Sequence, residues 1–182
     1  MSILNPKAII VHCSASVWGD AAAITEWHRQ RGFDTCGYHK VILNGVRQAK
    51  LRYIEKLDGK IEPGRDEHTQ GAHCKAQGMN SAALGVCLIG NPGWPPAGPA
   101  ADSKHWVRPY VTERQVSALI HVLTVWCREH GLNPKGEVRV QGRLVRVISQ
   151  HSDHDPGKPF CASMRLDWIC EAVAEALKAE GS

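Results

Sequence analysis

The sequence predicts an α/β fold: a single domain over residues 1–182 with a mixed central β-sheet flanked by helices. Short apolar runs at residues 7–13 and 82–90 indicate buried strands, because their length and composition suit the centre of a sheet. Strands and helices that alternate in one chain of 182 residues are typical of one α/β domain. Amphipathic helices are predicted at residues 21–31, 112–130 and 164–178.

The bulk composition is that of a soluble globular protein. A net charge of +4 favours anionic polymers such as cell-wall material, and without a run of five basic residues no nucleic-acid partner is expected. Seven cysteines form an odd set without a C-x-x-C pair, so we expect reduced thiols rather than disulfides. The sequence shows neither a signal-peptide pattern nor an apolar run that could span a bilayer. We therefore expect a cytoplasmic protein without membrane insertion.

The first predicted strand, at residues 7–13, ends in a histidine and a cysteine. Side chains alternate along a strand, so His12 and Cys13 face opposite sides and only one of them is expected at a given site. His12 lies at the carboxyl end of the strand, where open α/β sheets place their ligands. Asp20 has the features of an N-cap for the helix that follows at residues 21–31.

The second strand is predicted at residues 36–43, and the pair Asn44-Gly45 indicates a type I′ hairpin after it. The returning strand is expected near residues 51–57. Tyr38 and the residue after it face opposite ways, so one of the two can overlook a site.

Residues 91–109 are rich in proline and lack periodicity, which predicts a long surface loop. Its Trp94 and Trp106 are candidates to line a binding surface. Residues 138–148 alternate as a strand that delivers the chain to His151.

The stretch with the densest chemistry is QHSDHDPGKPFC, at residues 150–161. Its prolines and its glycine exclude a regular helix or a central strand, so it is predicted as a loop with fixed bends. If the loop folds back, His151 and Cys161 can meet at one metal ion, and His12 supplies a third ligand. A His–His–Cys set with an open fourth position is typical of catalytic zinc.

Other arrangements of these residue types remain open. Cys161 and His151 could form a nucleophilic Cys–His dyad, although that leaves His12 without a role. His154 could take the place of His151 as a ligand. Two further histidines are given structural places: His28 on the surface of the first helix, and His73 in a polar loop at the rim of a groove.

Five segments in a fixed order carry a family resemblance: VHCSA (11–15), GYH (37–39), EPGRDE (62–67), LGVCLIG (84–90) and HSD (151–153). They resemble the zinc-dependent N-acetylmuramoyl-L-alanine amidases of type 2. These are the phage-lysozyme-like amidases, which are related to peptidoglycan recognition proteins. The resemblance runs from about residue 7 to residue 170 and keeps the order of the family's segments.

The resemblance implies an amidase-like α/β fold and one Zn²⁺ held by His12, His151 and Cys161. It also implies cleavage of the amide that joins the lactyl group of N-acetylmuramic acid to L-alanine. In the family a tyrosine and a lysine assist catalysis, and their positions match Tyr38 and Lys158. Lys158 lies three residues before Cys161, whereas the family lysine usually lies two before its last ligand, so this loop must bend differently.

The resemblance favours a phage or prophage endolysin that degrades bacterial peptidoglycan for host lysis. We expect a monomer that stays in the cytoplasm until a holin-type partner releases it to the cell wall. A cytosolic amidase that recycles anhydromuropeptides and a non-catalytic peptidoglycan-binding module are the alternatives. Binding modules of this family often lack the cysteine ligand, so Cys161 argues against the second. A structural zinc site would need four protein ligands.

Overall fold

A computed structural model describes residues 5–90 and 111–181, so the predicted loop with Trp94 and Trp106 lies outside the described residues. The strands are β1 (Ala8–Cys13), β2 (Lys40–Asn44), β3 (Asp58–Pro63), β4 (Ala83–Leu88), β5 (Glu137–Val140), β6 (Arg143–Arg146) and β7 (Ile148–Gln150). Five of them form one sheet in the order β3–β2–β4–β1–β7, while β5 and β6 form a separate hairpin. Within the sheet β3 is antiparallel to β2 and the other pairs are parallel, which confirms the predicted mixed sheet.

The helices are α1 (Ala21–Arg29), α2 (Met79–Ala82), α3 (Glu113–Glu129) and α4 (Leu166–Glu180). Asp20 caps α1 as predicted, because its Oδ1 accepts a hydrogen bond from the amide of Ala23 at 2.8 Å. Thr112 forms a capping box with Gln115 at the start of α3. None of the described helices combines the length and the apolar character that a bilayer crossing requires.

The alternation of side chains along β1 divides the core between two faces of the sheet. Ile9 packs on one face against buried side chains of α3 and α4, among them Leu119 and Ile169. Ile10 belongs to a smaller cluster on the opposite face, the face that His12 shares by alternation. Each fully buried aliphatic side chain contributes about 1.5–3 kcal/mol, so packing on both faces keeps β1 in place.

The type I′ hairpin predicted at Asn44-Gly45 is wrong. β2 and β3 are antiparallel neighbours, but residues 45–57 connect them, and residues 51–57 form no strand. A type I′ turn needs positive φ at both central residues, and of the two only Gly45, at 85°, has it. The Asn44 side chain instead accepts a hydrogen bond from the amide of Val46 at 3.1 Å, which starts a wider turn.

The strand predicted over residues 138–148 is in fact a hairpin followed by a third strand. β5 and β6 pair around Gln141 and Gly142, whose φ values of 46° and 81° suit a tight turn. The period-two alternation continues through both strands, so the pattern alone did not show the break. β7 then joins the central sheet with Ile148 paired to Ile9.

Candidate metal centre

β1 and β7 are neighbouring parallel strands, and their register brings two histidines together. Val11 pairs with Gln150, so the next residues, His12 and His151, lie side by side at the carboxyl ends of the two strands. Both side chains are buried, and their ring centroids are 4.8 Å apart in an edge-to-face arrangement. Two neighbouring strand ends therefore supply the first two nitrogen donors.

Cys161 reaches the same point because the loop after β7 folds back on itself. The amide of Lys158 donates a hydrogen bond to the carbonyl of Asp155 at 2.9 Å, which makes a turn. The amide of Ser152 donates to the carbonyl of Cys161 at 2.6 Å and closes the loop. As a result, Cys161 Sγ lies 3.7 Å from His12 Nδ1.

The three ligand atoms of His12, His151 and Cys161 all lie within 4.8 Å of one another. In residues 5–90 and 111–181, this is the one group of at least three His, Cys, Asp or Glu side chains with such spacing. Cys13 also contributes, since its amide donates to Cys161 Sγ at 3.4 Å. The side chains of these strand neighbours do face opposite sides, as expected: His12 offers a ring nitrogen, the Cys13 side chain belongs to the core cluster of Ile9, and Cys13 contacts the sulfur through its backbone amide.

The protonation states of the donors suit a cation. Hydrogen bonds with Cys13, His12 and His151 lower the pKa of the Cys161 thiol, which favours the thiolate. Burial lowers the pKa of the His12 imidazole, which favours its neutral form. Thiolate and neutral imidazole are the forms in which these side chains bind metal ions.

His73 lies in a loop and lines a cleft, as predicted, and its side chain is buried beside the donor group. Its Nδ1 lies 3.0 Å from His12 Nε2, and its Nε2 lies 3.1 Å from the carbonyl oxygen of Ala83. A signal was present in the sequence at Gly85, within the most apolar run. A Cβ there would lie 2.6 Å from His73 Cδ2, and glycine inside a strand often marks such a close approach.

His28 is also buried, at 7% exposure, so its predicted surface position is wrong. Its Nδ1 accepts a hydrogen bond from the amide of Gly37 at 2.8 Å. Its ring packs against Tyr38 with the two ring centroids 5.3 Å apart. The missed signal is its spacing of four residues from Ile24, which places both side chains on the inner side of α1.

We expect the protein to lose stability as the pH falls from 6.5 towards about 4. Burial lowers the pKa of His28 from 6.5 to about 4, so in that window the unfolded chain takes up a proton that the folded protein excludes. The free energy of unfolding therefore falls with pH below 6.5. Urea denaturation at about pH 7 and about pH 5 measures the change. His28→Asn keeps an acceptor for Gly37 without the titration, so an equal pH dependence in both proteins would contradict this assignment.

Tyr38 lines a cleft of about 670 Å³ together with His151 and Cys161. The centroid of its ring lies 4.9 Å from that of His12. Burial raises the pKa of Tyr38 well above its usual value, so the phenol keeps its proton. Tyr38 therefore places a neutral hydroxyl-bearing ring against the donor group.

Lys158 is exposed and lines the same cleft. Within the described part of the chain its ammonium forms no ion pair, so it is available to a bound molecule. Arg31 also lines the cleft, and the apolar rings of Phe33 and Phe160 are exposed there. The described lining thus combines two cationic groups with two exposed phenylalanine rings, which suits an anionic ligand with apolar parts.

His154, the alternative to His151, is turned away from the donor group. Its Nε2 lies 2.8 Å from Ser149 Oγ, and its Nδ1 lies 3.1 Å from Gln77 Oε1. Both ring nitrogens are therefore engaged with neutral groups elsewhere. The fold brings His151 to Cys161 in its place.

Sequence comparisons relate the chain to phage proteins. The sequence profile of the N-acetylmuramoyl-L-alanine amidase family matches residues 3–158. The endolysin of Enterobacteria phage K11 is 34% identical over 163 residues, which cover 87% of this chain and 82% of that protein. The endolysin of Escherichia phage T7 is 38% identical over 89 residues. The alignment with the phage T7 protein covers 47% of this chain. This chain therefore spans about half (49%) of the length of that relative.

Solved structures share the fold of this chain. The amidase LysC from Clostridium intestinale superposes with a TM-score of 0.62 at 22% identity, covering 97% of this chain and 85% of that one. Drosophila PGRP-LB superposes with a TM-score of 0.59 at 16% identity, covering 91% and 80%. These likenesses confirm the predicted amidase-like α/β fold. Because the family profile covers most of the sequence, this chain belongs to the N-acetylmuramoyl-L-alanine amidase family.

Proposed function

We propose that this chain is a zinc-dependent amidase of bacterial peptidoglycan. It would hydrolyse the amide between the lactyl group of N-acetylmuramic acid and L-alanine. The observation that carries the proposal is the convergence of His12, His151 and Cys161 beside an open cleft. Membership of the amidase family supports the reaction, and the phage relatives, which are endolysins by name, support the cell wall as its substrate.

The donor set fits zinc. Zinc binds imidazole nitrogen at roughly 2.0–2.1 Å and thiolate sulfur at roughly 2.3 Å in a tetrahedron, which separates the ligand atoms by roughly 3.3–3.6 Å. The 3.7 Å between His12 Nδ1 and Cys161 Sγ is close to that separation. Three protein ligands leave a fourth position for water or substrate, which is typical of catalytic zinc.

When bound, zinc supplies a Lewis acid and activates water for hydrolysis. The residues of the chain hold the substrate and stabilise the charge that develops on it. The neutral phenol of Tyr38 orients the attacking water or passes a proton. The Lys158 ammonium stabilises the negative oxygen that forms when the carbonyl is attacked. Arg31, in the same cleft, suits the carboxylates of the peptide stem.

Replacing Lys158 with methionine is expected to lower kcat by roughly 10²–10³-fold, because one donor to the developing oxyanion is lost. The zinc content should stay that of the wild type, because Lys158 is exposed and is not one of the donors. Rates on purified cell walls measure the effect. Lys56→Met, on an exposed 3-10 helix, is the matched control for the loss of a surface charge. An equal fall in both variants would show that Lys158 has no specific role.

Removal of zinc separates the proposed chemistry from a Cys161–His151 dyad. A metal chelator should abolish hydrolysis, and about one equivalent of zinc per chain should restore it. A thiol nucleophile would behave differently, because it would keep its rate in chelator and lose it when the metal-free protein is alkylated. Activity that survives complete chelation would overturn the zinc proposal.

The bond that is cut can be identified on purified cell walls. The proposed amidase releases amino groups of L-alanine and creates no new reducing sugar ends. A glycosidase would create reducing ends, and a peptidoglycan-binding module would produce neither signal. Cys161→Ser serves as the inactive control in this assay.

We further propose that the reaction serves host lysis. The protein would act as a monomer and stay in the cytoplasm until a holin-type partner releases it to the cell wall. The endolysins of phages K11 and T7 support this role by their similarity. Recycling of anhydromuropeptides is the second candidate, carried by the same donor set. Faster cleavage of intact sacculi than of soluble anhydromuropeptides is expected, and the reverse preference would favour recycling.

A further inference from the structure

We propose that His73 is a positioning residue that fixes the tautomer of His12. By accepting a hydrogen bond from His12 Nε2, it turns the unprotonated Nδ1 of His12 towards His151 and Cys161. This role rests on the proposed function, because it matters when the three donors hold zinc. His73 itself is not one of the donors.

The tautomers follow from a chain of hydrogen bonds that begins at a backbone carbonyl. The carbonyl oxygen of Ala83 can only accept, so His73 Nε2, at 3.1 Å, carries a proton and donates it. The ring of His73 is buried and its hydrogen-bond partners bear no formal charge, which favours the neutral imidazole. A neutral imidazole has one N–H, so His73 Nδ1 is an acceptor.

The same reasoning passes the assignment on to His12. His12 Nε2 lies 3.0 Å from His73 Nδ1 and must donate to it. His12 Nδ1 is then unprotonated, and this is the atom that lies 3.7 Å from Cys161 Sγ. The carbonyl of Ala83 on β4 thus determines, through the ring of His73, that His12 presents its Nδ1 to a metal ion.

The ring of His73 is held in place by its surroundings. The side-chain oxygen of Asn80 accepts hydrogen bonds from the amides of His73 and Cys74, at 2.8 and 2.7 Å. Glycines at positions 71 and 85 leave room for the ring, because a Cβ at either one would lie 2.4 or 2.6 Å from His73 Cδ2. A ring confined in this way cannot turn over to present a different nitrogen.

A neutral acceptor also has a specific electrostatic consequence. Metal-bound histidines usually donate their second N–H to a carboxylate, a backbone carbonyl or water, which orients the ring. A carboxylate here would add a second negative charge next to the Cys161 thiolate. An imidazole acceptor orients His12 without that charge, so the thiolate stays the one anionic donor of the group.

Direct measurement of the tautomer tests the proposal on the wild-type chain. Nitrogen-15 NMR spectra that correlate ring nitrogens with ring protons, taken with and without zinc, should place the His12 proton on Nε2. They should also show the His73 proton on its Nε2. A His12 proton on Nδ1, or exchange of the proton between both nitrogens, overturns the proposal. This measurement needs no variant, so it decides the question even where a substitution prevents folding.

Two substitutions at His73 separate hydrogen bonding from packing. His73→Phe keeps a planar ring but has no acceptor, and its zinc affinity should fall by roughly 10–100-fold in competition with a chelator. His73→Asn keeps an acceptor near the position of Nδ1, and its affinity should stay within a few-fold of the wild type. Equal losses in the two variants would indicate a packing role and overturn the proposal.

Two further variants serve as controls. Gly85→Ala leaves the imidazole of His73 unchanged but displaces its ring, so it should also weaken zinc binding. His39→Asn alters a neighbouring buried histidine whose Nδ1 accepts from the amide of Gly85 at 2.9 Å. It should leave zinc affinity unchanged. A wild-type protein without zinc affinity would defeat the proposed function, whereas wild-type affinity in His73→Phe would defeat only the role of His73.

Discussion

The Cys161→Ser variant is expected to lose most of its bound zinc and, with it, most of its hydrolytic activity. A serine hydroxyl stays protonated at neutral pH, whereas hydrogen bonds with Cys13, His12 and His151 favour the thiolate at Cys161. Zinc sites with four ligands bind with roughly 10–16 kcal/mol, so one lost ligand costs about 3 kcal/mol, or on the order of 10²-fold in affinity. Metal analysis after dialysis and competition with a chelator measure the loss.

Cys127→Ser is the matched control for this change. Cys127 is buried in α3 and is not one of the three donors. A serine in a helix can bond to the carbonyl four residues earlier, so the new hydroxyl has a partner. This control should retain the zinc content of the wild type. If Cys161→Ser also retains it, or if both variants lose it equally, Cys161 is not a ligand.

The Tyr38→Phe variant is expected to lower kcat by roughly 10²–10⁴-fold, the usual contribution of a positioned proton-transfer group. Phenylalanine keeps the ring that lies 4.9 Å from His12 and removes only the hydroxyl. Zinc affinity should therefore change little, which separates this variant from Cys161→Ser. Steady-state rates on cell walls, with the zinc content determined on the same samples, measure the effect.

Tyr53→Phe provides the control for the loss of a phenol hydroxyl. Tyr53 is 52% exposed and forms its hydrogen bond with Asp58, at 2.9 Å. Its variant should keep the rate of the wild type. A Tyr38→Phe variant that also keeps the wild-type rate would restrict Tyr38 to packing against His12.

The sequence was most informative where strands end. The apolar run before His12 and the alternating stretch before His151 place both histidines at carboxyl ends, and parallel pairing of β1 with β7 makes them neighbours. The prolines and the glycine of the following loop predict the bends that return Cys161 to the same place. The grouping of three donors could therefore be anticipated without coordinates.

The buried histidines were harder to predict because their partners depend on tertiary packing. His73 contacts His12, which is distant in sequence, and the absence of side chains at Gly71 and Gly85 leaves the space that its ring needs. The residue pattern of a polar loop does not show that the folded protein leaves space for a buried ring there. The hairpin β5–β6 was hard to predict for a related reason. The alternation of apolar and polar residues has the same period before and after a tight turn, so it does not show where a strand ends or which strand it pairs with.

The outermost position of β7 has a mechanical consequence. β7 contributes three residues to the edge of the sheet and pairs there with β1, so we expect it to open more easily than the central strands. A metal ion bound by His12 on one side and by His151 and Cys161 on the other would cross-link β1, near the start of the chain, to the last quarter of the chain. The resistance of the β7 edge to proteases should then increase as more of the protein binds the metal ion.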